Sequence, residues 1–278
     1  MTGYEMTLWL GCGALAAGIL GSLTGLGGGI VIVPFMTLVL DIDIHYALGT
    51  SLIAVIATSS GAGANYLRDG YANLKIASFL EVATVLGALF GASLATQTHP
   101  SFLGIIFGFA LLFSAYFSFR SPHLSNNTID DGGITEWLQM NGNYPTSQGS
   151  QAYFVKNAPF GFIMMTGAGL LSGLLGIGSG AFKVIAMDQI MKIPFKVSTA
   201  TSNLMIGVTA AAGAGVFLSR GYIDPGLTMP VMLGVVAGSL VGSKILHRAP
   251  AATLRAVFAV VITLIGIQML HKGLTEKF

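Results

Sequence analysis

Thr24-Gly25-Leu26-Gly27-Gly28-Gly29 is answered 151 residues further on by Leu175-Gly176-Ile177-Gly178-Ser179-Gly180, and these two stretches decide how the chain is read. They open a longer internal match. Residues 24–93 lie over 175–244 without a gap, and 16 of the 70 positions are identical. In so biased a composition the placement of the identities matters more than their number. Gly25, Gly27 and Gly29 fall on Gly176, Gly178 and Gly180, and Thr50-Ser51 falls on Thr201-Ser202. Gly70-Tyr71 falls on Gly221-Tyr222, and Gly87 and Gly91 on Gly238 and Gly242. A hydrophobic chain that contains itself twice is the pattern of many membrane transporters.

Composition sets the medium. Hydrophobic residues make up 53% of the 278 and charged residues 9%, with a mean hydropathy of +0.77. Soluble domains carry about 25% charged residues, so this chain is read as a multi-pass protein with the lipid bilayer as its surroundings. The 13 Lys and Arg are scattered and form no basic stripe, which argues against a nucleic-acid partner. Cys12 is the only cysteine, so no disulfide is expected. Residues 1–6 hold Glu5 and no Lys or Arg, unlike the positive start of a cleaved signal peptide, and Thr7 onward reads as the first membrane segment.

Apolar runs fall at 7–23, 29–40, 45–67, 74–96 and 101–119, and recur at 158–174, 180–191, 196–218, 226–246 and 253–270. The longer runs match the roughly 20 residues that cross about 30 Å of hydrocarbon. The run after each glycine cluster is too short, reaching only about 18 Å. Read as one straight helix, 7–40 would be roughly 51 Å long, too long for one crossing even with tilt. The chain is therefore expected to bend at the glycines and return. Charge placement agrees. With both hairpins folded back, nine Lys and Arg share one face and three lie on the other, whereas single crossings would split them seven to five. The positive-inside bias favours the hairpins. The expected fold is an all-α polytopic membrane protein of two inverted repeats, each of about five segments, the second of each a half-helix. Both termini then lie outside. The units are 1–120, a polar link at 121–157 on the cytoplasmic side, and 158–278. The link reads as mobile, with a short interfacial helix around Glu136-Trp137-Leu138 as the alternative.

The chemistry is expected at the bends. Lipid cannot satisfy broken backbone, so a bend at membrane depth must be buried in protein or line a cavity. The helix starts near Gly29 and Gly180 present unpaired N–H groups and a positive dipole end, and glycine lets a ligand approach. Two such ends facing each other make an anion site from Gly25, Gly27, Gly28 and Gly29 with Gly176, Gly178, Ser179 and Gly180. Thr50, Ser51, Thr201, Ser202 and Asn203, early in the third segments, supply donors without a full charge, unless they bond their own helices. Lys183 stands where the first copy has Ile32 and is a candidate counter-charge; snorkelling, or a structural pair with Asp188 or Glu81, is the rival reading. Glu81 is the candidate for a coupling proton, against a plain ion pair with Lys75 or Lys183. Gly87, Gly91, Gly238 and Gly242, spaced by four, read as close helix packing. The five His lack metal-site spacing, and the glycine cluster follows no strand and is no nucleotide loop. No catalytic constellation, metal or cofactor is expected.

Residues 23–34, Leu-Thr-Gly-Leu-Gly-Gly-Gly-Ile-Val-Ile-Val-Pro, followed by Ala47-Leu48-Gly49-Thr50-Ser51-Leu52, resemble the TauE/SafE sulfite exporter family, also called the toluene sulfonate uptake permease group. The second copy is similar to that family's second half, departing at Ser179 and Lys183. The resemblance implies an exporter of sulfite, sulfoacetate or related sulfonates in the inner (plasma) membrane, working by alternating access. A channel-like anion facilitator and a non-transporting membrane scaffold stand as alternatives, and a homo-oligomer is left open.

Overall fold

The computed structural model describes residues 3–24, 28–119, 135, 138–146, 149–246 and 251–275. Ten α-helices run through them. The first five are α1 (Gly3–Thr24), α2 (Gly29–Pro34), α3 (Ile44–Arg68), α4 (Leu74–Ala95) and α5 (Pro100–Phe119). The second five are α6 (Ala158–Leu175), α7 (Gly180–Ile185), α8 (Phe195–Ser219), α9 (Pro225–Leu246) and α10 (Ala251–Leu274). From α2 onward every element of the second set starts 151 residues after its counterpart. The short helices α2 and α7 each widen into a π-helical turn, Phe35–Val39 and Ala186–Ile190. Each run then stops at a left-handed residue, Asp41 (φ 53°) and Lys192 (φ 56°). Helices α3 and α8 end at Gly70 (φ 75°) and Gly221 (φ 77°). There the glycine N–H bonds back to Leu67 and Leu218, the usual way to close the last turn with a residue that tolerates positive φ.

Both half-helices fold back along the helix before them. A Cβ built on Gly13 would lie 2.2 Å from the Phe35 ring, and one on Gly28 3.3 Å from the Ala17 carbonyl oxygen. In a straight helix positions 13 and 35 would be roughly 33 Å apart. In the second set Lys156 N donates to Met191 O at 3.0 Å, tying the start of α6 to the end of the α7 segment.

The two sets interlock pairwise: α1 with α9, α4 with α6, α3 with α8 and α5 with α10. Glycines make the closest approaches. Built Cβ atoms at Gly91 and Gly173 would stand 2.1 Å from the Leu170 and Ala88 carbonyl oxygens across α4 and α6. At Gly238 the clash would be with Leu15 O, also at 2.1 Å. Packing is therefore the role of Gly87, Gly91 and Gly238; the surroundings of Gly242 lie outside the described residues. The contacts also give direction. Along α4 and α6, Thr84 meets Gly169 and Ala88 meets Gly173, so the pair is parallel. In α3 and α8, Leu52 meets Gly213 and Ser59 meets Gly207, so these helices are antiparallel. Helices α5 and α10 are antiparallel too, with Ile105 against Gly273 and Leu111 against Gly266.

Helices α4, α6 and α8 are long and apolar enough to cross a membrane. Large apolar side chains stand exposed on outward faces, among them Phe90, Phe109, Ile163, Leu218 and Leu240. Lipid accounts for such a surface where water would not.

The fold is not wholly α, which corrects the sequence reading. Within 121–157, read as a polar link without secondary structure, β1 (Gly142–Thr146) pairs antiparallel with β2 (Gly149–Tyr153). Met140, Tyr153 and Val155 are buried against α4, α6 and α8. Asn73 fastens this hairpin. Its carboxamide caps α4 by accepting from Lys75 N and Ile76 N, and donates to Tyr153 Oη (2.7 Å) and Met140 O (3.0 Å). Glu136 and Trp137, of the alternative interfacial helix, lie outside the described residues.

Candidate functional site

The two half-helix starts meet where α3 crosses α8. On the second side the chain leaves α6 through Gly176 (φ 64°), Gly178 (φ 70°) and Ser179 (φ 47°), three left-handed residues in four. A side chain at Gly176 would strike the Leu48 carbonyl oxygen, 2.9 Å from its Cβ position. At Gly178 it would strike Ile206 of α8 (2.7 Å) and Val55 of α3 (3.0 Å). On the first side, Gly28 and Gly29 are described and buried, whereas Gly25 and Gly27 lie outside the described residues. A Cβ on Gly29 would lie 2.6 Å from Ser51 Oγ and 3.0 Å from Gly176 O, so the two bends touch.

Neither half-helix is capped by a side chain. The residue before α2 is Gly28 and the one before α7 is Ser179, and neither gives a side-chain capping bond. Ser179 Oγ is buried without a hydrogen-bond partner. In α2 Val31 N already donates to Gly28 O at 3.1 Å; the N–H groups ahead of it at a helix start have no carbonyl partner within their own helix. Their dipole end favours negative charge.

The predicted donors divide. Ser51 Oγ donates to Gly176 O at 2.7 Å, and Ser202 Oγ to Gly180 O at 3.3 Å. Both serines therefore sit on the bends. Thr50 and Thr201 turn away: Thr50 Oγ1 is 3.4 Å from Thr228 Oγ1 of α9, and Thr201 Oγ1 accepts from Asn73 N at 3.1 Å. Asn203 Nδ2 bonds its own helix at Thr199 O, 2.9 Å away. Ser51, Ser202, Gly29, Gly176, Gly178 and Gly180 form the brought-together group.

Lys183, wholly buried, points toward α4 and α8. Its ammonium donates to Thr209 Oγ1, which donates to Glu81 Oε1 at 2.6 Å. Thr84 Oγ1 is 3.3 Å from Thr209 Oγ1, and Glu81 Oε2 is buried with no partner. Lys75, the other cation considered for Glu81, donates to Gln139 Oε1 at 2.7 Å. Sequence reasoning missed Thr209 because a threonine mid-helix reads as packing. The available signal was its identity with Thr58 at the repeat offset.

At the opposite ends of α3 and α4, His45 Nδ1 is 3.0 Å from Asp43 Oδ1, and its Nε2 faces Ala95 O and Thr98 O at 3.2 Å each. Its ring stacks on Tyr222 at 4.9 Å. The bond from His45 holds the Asp43 carboxyl below its ordinary range, against burial. Lys272 pairs with Asp41 at 2.8 Å and donates to Thr37 O. That bond likewise lowers the exposed Asp41 carboxyl.

Apolar outer faces around two bent, backbone-lined half-helices are those of an α-helical membrane protein. The family model described as Sulfite exporter TauE/SafE matches residues 10–269, and the chain belongs to that family. Among curated relatives, Probable membrane transporter protein YunE of Bacillus subtilis is 28% identical over 268 residues, spanning 94% of this chain and 96% of that protein. Probable membrane transporter protein YdhB of the same organism is 26% identical, covering 91% and 96%. Probable membrane transporter protein MJ0441 of Methanocaldococcus jannaschii is 24% identical, covering 91% of each. No solved structure matches the chain.

Proposed function

We propose that the chain carries small sulfur oxyanions, sulfite or an organosulfonate, outward across the cell's inner membrane by alternating access. One observation carries the reading: the two uncapped half-helix starts touch at a buried crossing, each with a serine of the third helix against it. An oxyanion there would take backbone N–H groups from both ends, and Ser51 and Ser202 would turn their hydroxyls from the carbonyls to the anion. Lys183, one turn along α7, supplies counter-charge, and Glu81 is the group for a coupling proton.

The alternation rests on inverted repeats, 1–120 and 158–278, rocking against each other. Helix directions support inversion. Repeats inserted the same way round would set α3 parallel to α8 and α5 parallel to α10, whereas both pairs run antiparallel. The sulfur substrate and the export direction come from the family, and residues 121–157 are read as the cytoplasmic connection. The working partners are the anion and the lipid bilayer, with self-association left to measurement.

The test is flux in proteoliposomes across sulfite, sulfate, thiosulfate and sulfonates. Saturable sulfite flux with counterflow is expected. Flux that never saturates would make the chain a channel, and no flux of any sulfur anion would leave a scaffold. Topology is scored separately: with Cys12 removed, single cysteines at 43 and 194 should label from opposite sides.

A further inference from the structure

The chain Lys183 Nζ–Thr209 Oγ1–Glu81 Oε1 has no equivalent in the other half of the molecule. At the repeat offset Lys183 answers to Ile32, Glu81 to Met232 and Thr209 to Thr58. Thr58 keeps its hydroxyl on its own helix, donating to Ala54 O (3.1 Å) and Val55 O (3.0 Å). Thr209 also lies 3.0 Å from Met205 O, the same backward bond. Yet it stands between an ammonium and a carboxylate. A threonine hydroxyl has one proton to give and lone pairs to accept with. Receiving from Lys183, it can give that proton to Glu81, and the 2.6 Å separation is that of a charge-assisted bond.

The charged surroundings are sparse. α6 contains no titratable residue, and α8 contains only Lys196, in its first turn. On α4 the other titratable group is Lys75, held by Gln139. The α7 segment adds Asp188, on the π-helical turn beyond Lys183. The Glu81 carboxylate and the Lys183 ammonium are therefore the charges that meet through Thr209, in the interior where neither would persist alone.

Resting on the anion site proposed above, we propose that Thr209 is a positioning residue that joins Lys183 and Glu81 into a proton-linked switch for anion binding. With Glu81 ionised, its charge holds the ammonium on Thr209. A proton taken up by Glu81 on Oε2, the oxygen with no bond to lose, makes a neutral acid. The ammonium keeps its own proton and becomes the unpaired charge, free to turn back toward Ser179, one turn earlier on the same half-helix. An anion bound there replaces the lost carboxylate. One proton enters, one O–H bond forms, and nothing is oxidised or transferred further. Anion binding and proton binding then strengthen each other by the same factor, as linkage requires.

The experiment uses the full chain in detergent with sulfoacetate, whose acid groups stay ionised through the neutral range, so any proton taken up belongs to the protein. Titration calorimetry in buffers of different ionisation heat measures affinity and protons together. Over the range where Glu81 titrates, affinity should rise roughly tenfold per unit fall in pH, the equivalent of one proton. About one proton should be taken up per anion. In Glu81→Gln, which stands in for the neutral acid, binding should stay near the wild type's low-pH affinity, lose its pH dependence and take up no proton. Thr209→Val should weaken the pH dependence and proton uptake, and Thr209→Ser should restore both. Loss of affinity alone in Thr209→Val, with proton uptake intact, would reduce Thr209 to a packing residue and overturn the proposal. Wild-type binding with no proton uptake, or Glu81→Gln with the wild-type pH profile, would overturn it while leaving the anion site standing. No binding of sulfoacetate or sulfite at any pH would remove the anion site, and this switch with it.

Discussion

The two half-helices are the same backbone in different chemical surroundings. α2 and α7 have equal length, start at the same repeat position and widen into the same π-helical turn. Around α7 stand Lys183 and Glu81, bridged by Thr209. At the repeat-equivalent positions stand Ile32 and Met232, with Thr58 bonded to its own helix. The approach differs too: Gly28 precedes α2 with φ −6°, and Ser179 precedes α7 with φ 47°. A symmetric scaffold thus carries asymmetric chemistry. Two bends suffice to build the half-helices, and charge is placed beside one of them.

The comparison breaks most severely if charge is moved to the apolar side. Ile32→Lys puts an ammonium at a position 1% exposed, where Met232 takes the place of a carboxylate. A buried charge without a partner costs several kcal/mol, so this variant should give no folded, detergent-soluble protein. The reverse change, Lys183→Met, leaves Glu81 unpaired and should lower stability by about 3–5 kcal/mol. Replacing both, Lys183→Met with Glu81→Met, should recover most of that loss, because apolar residues often substitute for a buried pair at little cost. The double variant should fold yet lose pH-dependent anion binding. Yield of folded protein reads the first variant and thermal unfolding in detergent ranks the other two; a double variant no better than the single would mean the charges are not paired.

Where the halves are alike, paired substitutions should have like effects. Gly87→Ala and Gly238→Ala, at equivalent positions, drive a Cβ to within 2.2 and 2.1 Å of a carbonyl oxygen on the facing helix. Overpacking of this kind costs about 1–3 kcal/mol, and the two should agree within about 1 kcal/mol. A large inequality would show that the α4–α6 and α1–α9 contacts are not equivalent. The serines sharpen the comparison further. Ser51→Ala loses a 2.7 Å bond and Ser202→Ala a 3.3 Å one. The expected losses are about 1 kcal/mol and about half that, read as a difference in Tm.

What could be read beforehand follows the physics of each feature. The half-helices were legible because 12 apolar residues after a glycine cluster cannot cross the hydrocarbon. The β-hairpin was not legible. Its first strand holds Pro145, which lacks an N–H and argues against a strand, and neither strand alternates polar with apolar over enough residues to be seen. Lys183 and Glu81 stood out as ionisable residues in apolar runs, but their connection did not, since it passes through one hydroxyl 26 residues from the lysine. Thr50 and Thr201 recur as faithfully as Ser51 and Ser202, yet they turn to α9 and to Asn73. Recurrence marks a buried helix position; it does not say which way the side chain faces.

The smallest effect concerns the first residues of α3 and α8, where the repeat again diverges. Asp43, with His45, answers to Pro194 and Lys196, so a titrating carboxylate stands at the start of α3 and none at the start of α8. Asp43 accepts from both the ring and the backbone N–H of His45, at 3.0 and 2.8 Å. These bonds hold its carboxyl below the ordinary value. A carboxyl lowered by folding stabilises the protein above its unfolded pKa, about 3.9, and that contribution fades as pH falls through the lower folded value. With Asp43 half-exposed, the pair should contribute less than about 1 kcal/mol. Asp43→Asn keeps an acceptor for the backbone N–H and removes the charge. Wild type should therefore unfold at a slightly higher temperature than Asp43→Asn near neutrality, and the gap should close as the pH drops through the carboxylate range. A gap that stays constant with pH would mean that Asp43 acts through its turn geometry alone, and that the two helix starts differ in shape and not in charge.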